Sequence, residues 1–173
     1  MKKYELTSEV IEYKGHTLHR IKAVKDFGSV KTGQFGGWIE NEKNLSQNDN
    51  AWIYGEAIVF DNAKVFGNAR VFGNAKILGN AHIFGNAKVF DSARVYYYAR
   101  VYGDAIVHND AIVRGNAVVY GNAVVSDNAI VYGNAKVHDT AAVYGHTEGY
   151  EHAAVYGNAR VYCDTVVCDN AEV

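Results

Sequence analysis

The side chains that could do chemistry in this sequence are histidines, carboxylates and two cysteines. Three of its seven histidines, His82, His108 and His138, stand in a repetitive region, where each could act as a general base or ligate zinc. Glutamates and further histidines crowd into residues 146–152 (HTEGYEH), a combination suited to acid–base catalysis. Whether any of these groups meet depends on the elements that carry them.

Those elements are defined by a six-residue repeat that runs from Trp52 onward. Variants of A-x-V-Y-G-N follow one another, with Val or Ile at every sixth position and Gly149 as the one break. A small residue, usually alanine, stands two positions before each aliphatic residue, so both point to one face of a short strand. The next pair, Gly-Asn, Gly-Asp or Asp-Asn, suits a corner with one residue at positive φ. Each hexad therefore predicts one strand and one bend.

Three hexads make a triangular coil, so each residue n should lie against residue n + 18 of the next coil. This repeat resembles that of the hexapeptide-repeat left-handed β-helix family, and the resemblance implies an all-β, left-handed parallel β-helix. Residues 51–173 hold about seven coils. Residues 1–50 lack the hexad, and we predict that they form an N-terminal β-hairpin cap, with a turn at Lys14-Gly15, and a connecting segment.

A second resemblance covers the connecting segment and the first coil. The motifs Asp26-Phe27, Gly36-Gly37-Trp38, Leu45-Ser46-Gln47 and Trp52-Ile53-Tyr54 resemble the corresponding segment of YdcK-type bacterial and phage hexapeptide proteins. Members of that family are often labelled transferases by analogy of fold, and the resemblance supplies no catalytic residues. It also suggests, as a special case of a binding function, a phage-encoded inhibitor of a host protein.

Composition excludes several classes of partner. The formal charge of −2 and the pI near 6.4 give no basic excess for gripping nucleic acid. Neither an apolar signal-peptide core nor a membrane-length apolar stretch is present. Cys163 and Cys168 provide neither a disulfide framework nor metal-ligand spacing. We therefore expect a cytoplasmic protein that binds no nucleic acid, membrane or cofactor.

The length of one coil also bears on metal binding. Histidines that share a metal within one chain would stand one full coil, or three hexads, apart, yet His82 has Lys64 and Arg100 at that spacing. Neither His108 nor His138 has a histidine at that spacing either. We therefore predict no metal site within one chain.

The carboxylate-rich stretch is better explained by structure than by catalysis. His146, Glu148, Glu151 and His152 should fall on separate corners and faces of the prism. The core aliphatic residue is missing at Gly149, which would cost a few kcal/mol in a packed core. The stretch therefore predicts a local kink or bulge.

The run 94–100 (RVYYYAR) departs most strongly from the repeat. Tyr97 replaces the corner glycine and Tyr98 the following asparagine. A tyrosine at positive φ is strained by about 1 kcal/mol or more. Tyrosine and arginine are favoured at binding hot spots, although a harmless surface variation would look the same. The predicted binding site, which includes the residue one coil after Tyr96, comprises Arg94, Tyr96, Tyr97, Tyr98, Arg100 and Arg114.

The outward residue before each core aliphatic is mostly Lys or Arg in the early coils and becomes aliphatic in the middle. Exposed apolar belts usually mark interfaces, so we predict a homo-oligomer, preferably a side-by-side trimer. The open strand edge of the last coil, near Val173, suggests an end-to-end dimer instead. The alternative is that β-branched residues simply suit strands. The belt comprises Ile106, Ile112, Val118, Val124 and Ile130.

Two functions follow from these patterns. The favoured one is a non-enzymatic structural or protein-binding solenoid that displays Tyr-, Phe- and Arg-rich faces to a protein partner or to its own copies. The alternative, implied by the hexapeptide-repeat resemblance, is an acyltransferase with a site between subunits, where His82, His108 or His138 would act. Such enzymes usually have a loop that interrupts the coils beside the histidine. No such loop interrupts the hexads between residues 53 and 173.

Overall fold

The computed structural model describes residues 2–149 and 152–173, so Glu151 of the carboxylate-rich stretch lies outside the described residues. Within these ranges the chain forms strands, a 3-10 helix (Glu42–Asn44) and no α-helix. The hairpin strands are β1 (Tyr4–Tyr13) and β2 (His16–Ala23), which pair antiparallel. The remaining strands form three parallel faces, which confirms the predicted all-β solenoid.

The first face continues the hairpin sheet and has one strand per coil. Its strands are β3 (Phe35–Ile39), β5 (Ile58–Val59), β8 (Lys76–Ile77), β11 (Arg94–Val95), β14 (Ile112–Val113), β17 (Ile130–Val131), β20 (Glu148–Gly149) and β23 (Val166–Val167). The second face consists of β6 (Lys64–Val65), β9 (His82–Ile83), β12 (Arg100–Val101), β15 (Val118–Val119), β18 (Lys136–Val137) and β21 (Ala154–Val155). The third face consists of β4 (Trp52–Ile53), β7 (Arg70–Val71), β10 (Lys88–Val89), β13 (Ile106–Val107), β16 (Val124–Val125), β19 (Ala142–Val143) and β22 (Arg160–Val161).

The core is a stack of alanine and aliphatic columns inside the prism. Val71 pairs with Ile53 on one side and with Val89 on the other, which confirms the predicted offset of three hexads. Nearly all of these side chains are fully buried, because alternation along each short strand points both the alanine and the aliphatic residue inward. Every coil contacts only its neighbours, so stability accumulates coil by coil.

Corner residues adopt the positive φ that the repeat predicts. Gly73 and Gly103 have φ of 67° and 72°, and a Cβ at either would meet the backbone of the next coil at about 2.9 Å. Aspartate takes some of these corners, such as Asp61 at φ 57°, because its carboxylate accepts a hydrogen bond from the Gly79 amide above it at 3.0 Å. The side chain thus offsets part of the cost of the conformation.

The coils begin at β3, within the segment before residue 51. Trp38 pairs in parallel with Ile58, an offset slightly longer than the three hexads of a regular coil, and β2 pairs antiparallel with β3. The hairpin therefore extends the first face beyond the first coil. It also covers part of the outer surface, because Leu18, Trp38, Ile58 and Phe60 form a second buried cluster there.

The break at Gly149 leaves the register intact and the core underfilled. Gly149 pairs with Val131 and Val167 in the regular pattern, so the bulge expected here is absent at Glu148 and Gly149. No atom lies within 4 Å of a Cβ built on Gly149. The neighbouring Thr147 is fully buried, and its hydroxyl donates to the Tyr144 carbonyl at 2.7 Å. The missing side chain therefore leaves a small apolar cavity.

Candidate binding groove

The tip of the hairpin bends over the first face and creates one wall of a groove. Lys14 and Gly15 have φ of 51° and 83°, as a tight two-residue hairpin turn requires. Tyr13, just before the turn, packs edge-on against Phe60 with ring centroids 5.7 Å apart. The hairpin tip is thereby held beside the outward side chains of β8 and β11.

A polar clamp fastens this tip to the second coil. His16 Nδ1 lies 3.1 Å from a Glu40 carboxylate oxygen, its Nε2 lies 3.6 Å from Asp61, and its ring packs on Phe60. The Asp61 amide donates to the other Glu40 oxygen at 2.8 Å. Burial would raise the pKa of Glu40, but hydrogen bonds from His16 and from the Asp61 amide hold it below its ordinary value. The hexad pattern gave no signal for this clamp, because His16 and Glu40 lie outside the repeat.

His16, Glu40 and Asp61 are also the one group in the described residues with spacing suited to a metal ion. His16 Nδ1 is hydrogen-bonded to Glu40, the Asp61 backbone amide donates to Glu40, and the Asp61 carboxylate accepts from the Gly79 amide. These contacts explain why the three residues lie together: they hold the hairpin against the prism.

The groove itself has a volume of about 550 Å³. Three cations, Lys14, Lys76 and Arg94, line it together with one carboxylate, Asp61. The ammonium groups of Lys14 and Lys76 lie 5.7 and 5.9 Å from the centre of the Tyr13 ring. The other lining residues are Tyr13, Leu78, Gly79, Tyr96 and Tyr97.

The tyrosine corner stands at the edge of this groove. Tyr97 has φ of 61°, as expected for the glycine slot, and its ring lies 5.1 Å from that of Tyr96. Tyr97 and Tyr98 are 55% and 63% exposed, the two most exposed large hydrophobic residues among the described part of the chain. The strained corner therefore presents two rings to solvent.

The structure brings together only part of the predicted binding cluster. Arg94, Tyr96 and Tyr97 line the groove, and Tyr98 follows at the corner. Arg114 follows β14 on the same face, where its guanidinium lies 4.5 Å from the centre of the Tyr132 ring. Arg100 lies in β12 on the second face, because a corner separates it from Arg94.

The belt is likewise distributed around the prism. Ile112 and Ile130 are paired neighbours on the first face, and Ile106 and Val124 are paired neighbours on the third. Val118 lies alone of this set on the second face and is only 8% exposed. A flat partner could therefore cover at most two belt residues per face.

The repeat histidines sit in ring stacks. His138 lies between Tyr120 and Tyr156, with ring centroids 4.7 and 5.4 Å away, and His108 stacks on Phe90 at 4.9 Å. These stacks follow from the repeat, because like slots of successive coils pile up on one another.

His82 instead points outward from β9. Burial and the neighbouring charges of Lys64 and Arg100 lower its pKa, which favours the neutral ring. It belongs to a longer run of basic residues: every outward position before a core aliphatic residue, from residue 64 to residue 100, carries a basic side chain. We call this set the basic collar, and it comprises Lys64, Arg70, Lys76, His82, Lys88, Arg94 and Arg100. No described carboxylate forms an ion pair with any collar residue.

Comparison with known proteins supports the same repeat. Residues 99–115 and 153–169 match the family model of the YdcK β-solenoid repeat. Over 69 residues the chain is 39% identical to a protein of Escherichia coli (strain K12) named "Uncharacterized acetyltransferase YdcK". The chain therefore carries repeats that match the YdcK β-solenoid type. The match covers 35% of this chain and 21% of the relative, so the chain spans about a fifth of the length of the curated relative it matches.

The described residues include no helix of the length and apolarity needed to cross a membrane.

Proposed function

We propose that this YdcK-type protein is a non-enzymatic protein-binding solenoid, and that its contact surface is the groove with the Tyr97-Tyr98 corner. The observation that carries this proposal is Tyr97, a tyrosine held at positive φ with more than half of its surface exposed. Inhibition of a host protein by a phage-encoded chain would be one form of this function, and the cytoplasm is the compartment we propose for it.

The strain at Tyr97 is not offset by the side-chain hydrogen bond that aspartate corners make. Aspartates at equivalent corners accept a hydrogen bond from the next coil, as Asp61 does from Gly79. Tyr97 has no such acceptor, and a tyrosine at positive φ costs about 1 kcal/mol relative to the glycine used at most corners. A residue that is costly for folding and exposed to solvent is better explained by a contact with another molecule.

Replacing Tyr97→Gly and Tyr98→Asn together restores the repeat and tests this proposal. We expect the free energy of unfolding to rise by about 1 kcal/mol, since the strain is removed. Proteins retained from a bacterial lysate by the immobilised wild-type chain should be lost with this variant. Tyr162→Asn, an exposed tyrosine on the third face, is the matched control and should retain them. Unchanged retention by the double variant would contradict the proposal.

Acetyl transfer is the second candidate, because the Escherichia coli relative is named as an acetyltransferase. It is tested by calorimetric binding of acetyl-CoA to the purified chain, followed by alanine variants of His82, His108 and His138. Saturable binding of acetyl-CoA, together with transfer that one of these variants abolishes, would favour the enzyme. The ring stacks of His108 and His138 favour a structural role for these two side chains.

A further inference from the structure

We propose that the groove at the hairpin tip binds an acidic segment of a protein partner, in which carboxylates alternate with aromatic or apolar side chains. This inference rests on the protein-binding function above and specifies the chemistry of the partner. It is carried by the charges that line the groove, by its apolar floor and by its size.

The groove is positively charged, and its one carboxylate is already engaged. Lys14, Lys76 and Arg94 line it, and none forms an ion pair with a described carboxylate. Asp61, which accepts from the Gly79 amide and faces His16, supplies one negative charge against three positive charges, so the groove keeps a positive excess. Three cations without a counter-ion within one groove favour a ligand that carries several negative charges.

The floor of the groove favours a ligand that also has apolar or aromatic groups. Leu78 and Tyr96 occupy equivalent slots in successive coils of the first face, and Tyr97 extends this surface to the corner. Cations and apolar side chains therefore lie side by side along the groove. An extended peptide, whose successive side chains point to opposite sides, can direct carboxylates to the cations and a ring to the floor.

The volume and surroundings of the groove favour a short peptide segment over nucleic acid. A volume of about 550 Å³ accommodates a few residues rather than a whole folded surface. Nucleic-acid binding usually requires a basic excess, whereas this chain has a formal charge of −2. Moreover, the corners beside the basic collar carry Asp61, Asp91 and Asp104, which would repel a phosphate backbone that continued around the prism.

The test uses labelled peptides and the purified full chain. Fluorescence anisotropy would measure binding of the hexapeptide Glu-Tyr-Glu-Tyr-Glu-Tyr, of its counterpart with glutamine for each glutamate, and of a short oligothymidylate. We expect the acidic peptide to bind, its affinity to fall with added salt, and the glutamine peptide to bind at least tenfold more weakly. Equal binding of the two peptides, or binding of the oligothymidylate alone, would overturn the proposal.

Two double variants then locate the site. Lys76→Gln with Arg94→Gln neutralises two groove cations, and we expect the affinity for the acidic peptide to fall about tenfold, the sum of two exposed ion pairs. Lys64→Gln with Arg100→Gln is the matched control, because these residues occupy the same slot on the second face. The control should change the affinity by less than about twofold, and an equal loss in both variants would show diffuse attraction instead of a groove site.

Failure of this inference can be told apart from failure of the protein-binding function. If the Tyr97→Gly and Tyr98→Asn variant loses the captured protein while Lys76→Gln with Arg94→Gln keeps it, the partner binds without the groove charges and this inference is wrong. If both variants lose it while the matched control keeps it, the inference is supported.

Discussion

Two adjacent stretches of the prism share one core and differ in their outward slots. From residue 64 to residue 100 each outward slot is basic, whereas the belt from residue 106 to residue 130 carries only aliphatic residues there. Lys88 and Ile106 are paired neighbours on the third face, and the core residues beside them, Val89 and Val107, are equally buried. The core repeat therefore specifies the backbone, and the outward slots are free to differ.

The largest expected effect comes from placing a charge in the core slot rather than the outward slot. Val89→Asp buries a carboxylate without a partner, and we expect it to destabilise the fold by more than about 4 kcal/mol. The neighbouring Lys88→Asp should change stability by less than about 0.5 kcal/mol. Urea unfolding followed by circular dichroism measures both, and a similar loss for the two would contradict the division between slots.

A buried lysine should behave unlike the lysines of the basic collar. The Lys3 ammonium is buried and donates to the backbone carbonyls of Asp49 and Ala51, at 2.9 and 2.8 Å, with the Asp49 carboxylate nearby. We expect Lys3→Met to cost about 3 kcal/mol, because it leaves these acceptors unsatisfied. Lys88→Met is the control, and chemical denaturation of both variants should show little change for it.

Filling the cavity at Gly149 should stabilise the protein. The backbone of Gly149 is not in the left-handed region and its Cβ position is empty, so Gly149→Val should add about 1 to 2 kcal/mol. Gly145→Val is the matched control in the preceding corner, where φ is 76° and the side chain would be strained. The melting temperature should rise for the first variant and fall for the second. A fall for Gly149→Val would mean that the cavity cannot accept a side chain.

Acid should weaken the hairpin end before the middle coils. Burial would raise the pKa of both Asp49 and Glu40, yet hydrogen bonds and nearby cations keep both below their ordinary values of 3.8 and 4.5. A carboxyl with a lowered pKa in the folded state contributes stability above its ordinary pKa, and that contribution is lost as the pH falls through the folded value. Hydrogen exchange at pH 7 and pH 3 should show greater opening of the hairpin at pH 3. Equal protection at both pH values would contradict this assignment.

Lysine substitutions in the belt should have the smallest effect on stability, and they also test self-association. Ile112→Lys with Ile130→Lys makes the first face resemble the basic collar and should change the free energy of unfolding by less than about 0.5 kcal/mol. If the belt mediates association of copies, as we propose, size exclusion with light scattering should show a smaller species than for the wild type. Ile106→Lys with Val124→Lys tests the third face in the same way, and no change from either pair would contradict the proposal.

The hexad repeat predicts only part of the binding groove. The hexad predicts that Tyr97 occupies a corner with positive φ, because that slot is mostly glycine or aspartate elsewhere, and the structure confirms it. It also groups Arg94 with Tyr96, which share a face. Arg100 stands one hexad later, so the repeat itself assigns it to the next face, and its grouping with Arg94 was wrong. The hairpin that carries Lys14 and His16 was predicted from the sequence, but no hexad indicated that its tip would form a wall of the groove.

The local pattern of small, aliphatic and corner residues sufficed to predict the strands, the bends, the offset of three hexads and the inward columns. These features depend on contacts between equivalent positions of successive coils. Residues at a regular spacing in the sequence therefore stack on one another in the structure. The groove depends on how a non-repeating hairpin bends back onto the first face, through contacts such as His16 with Glu40 and Tyr13 with Phe60. Those contacts join residues whose separations are not whole coils, and only packing in three dimensions brings them together.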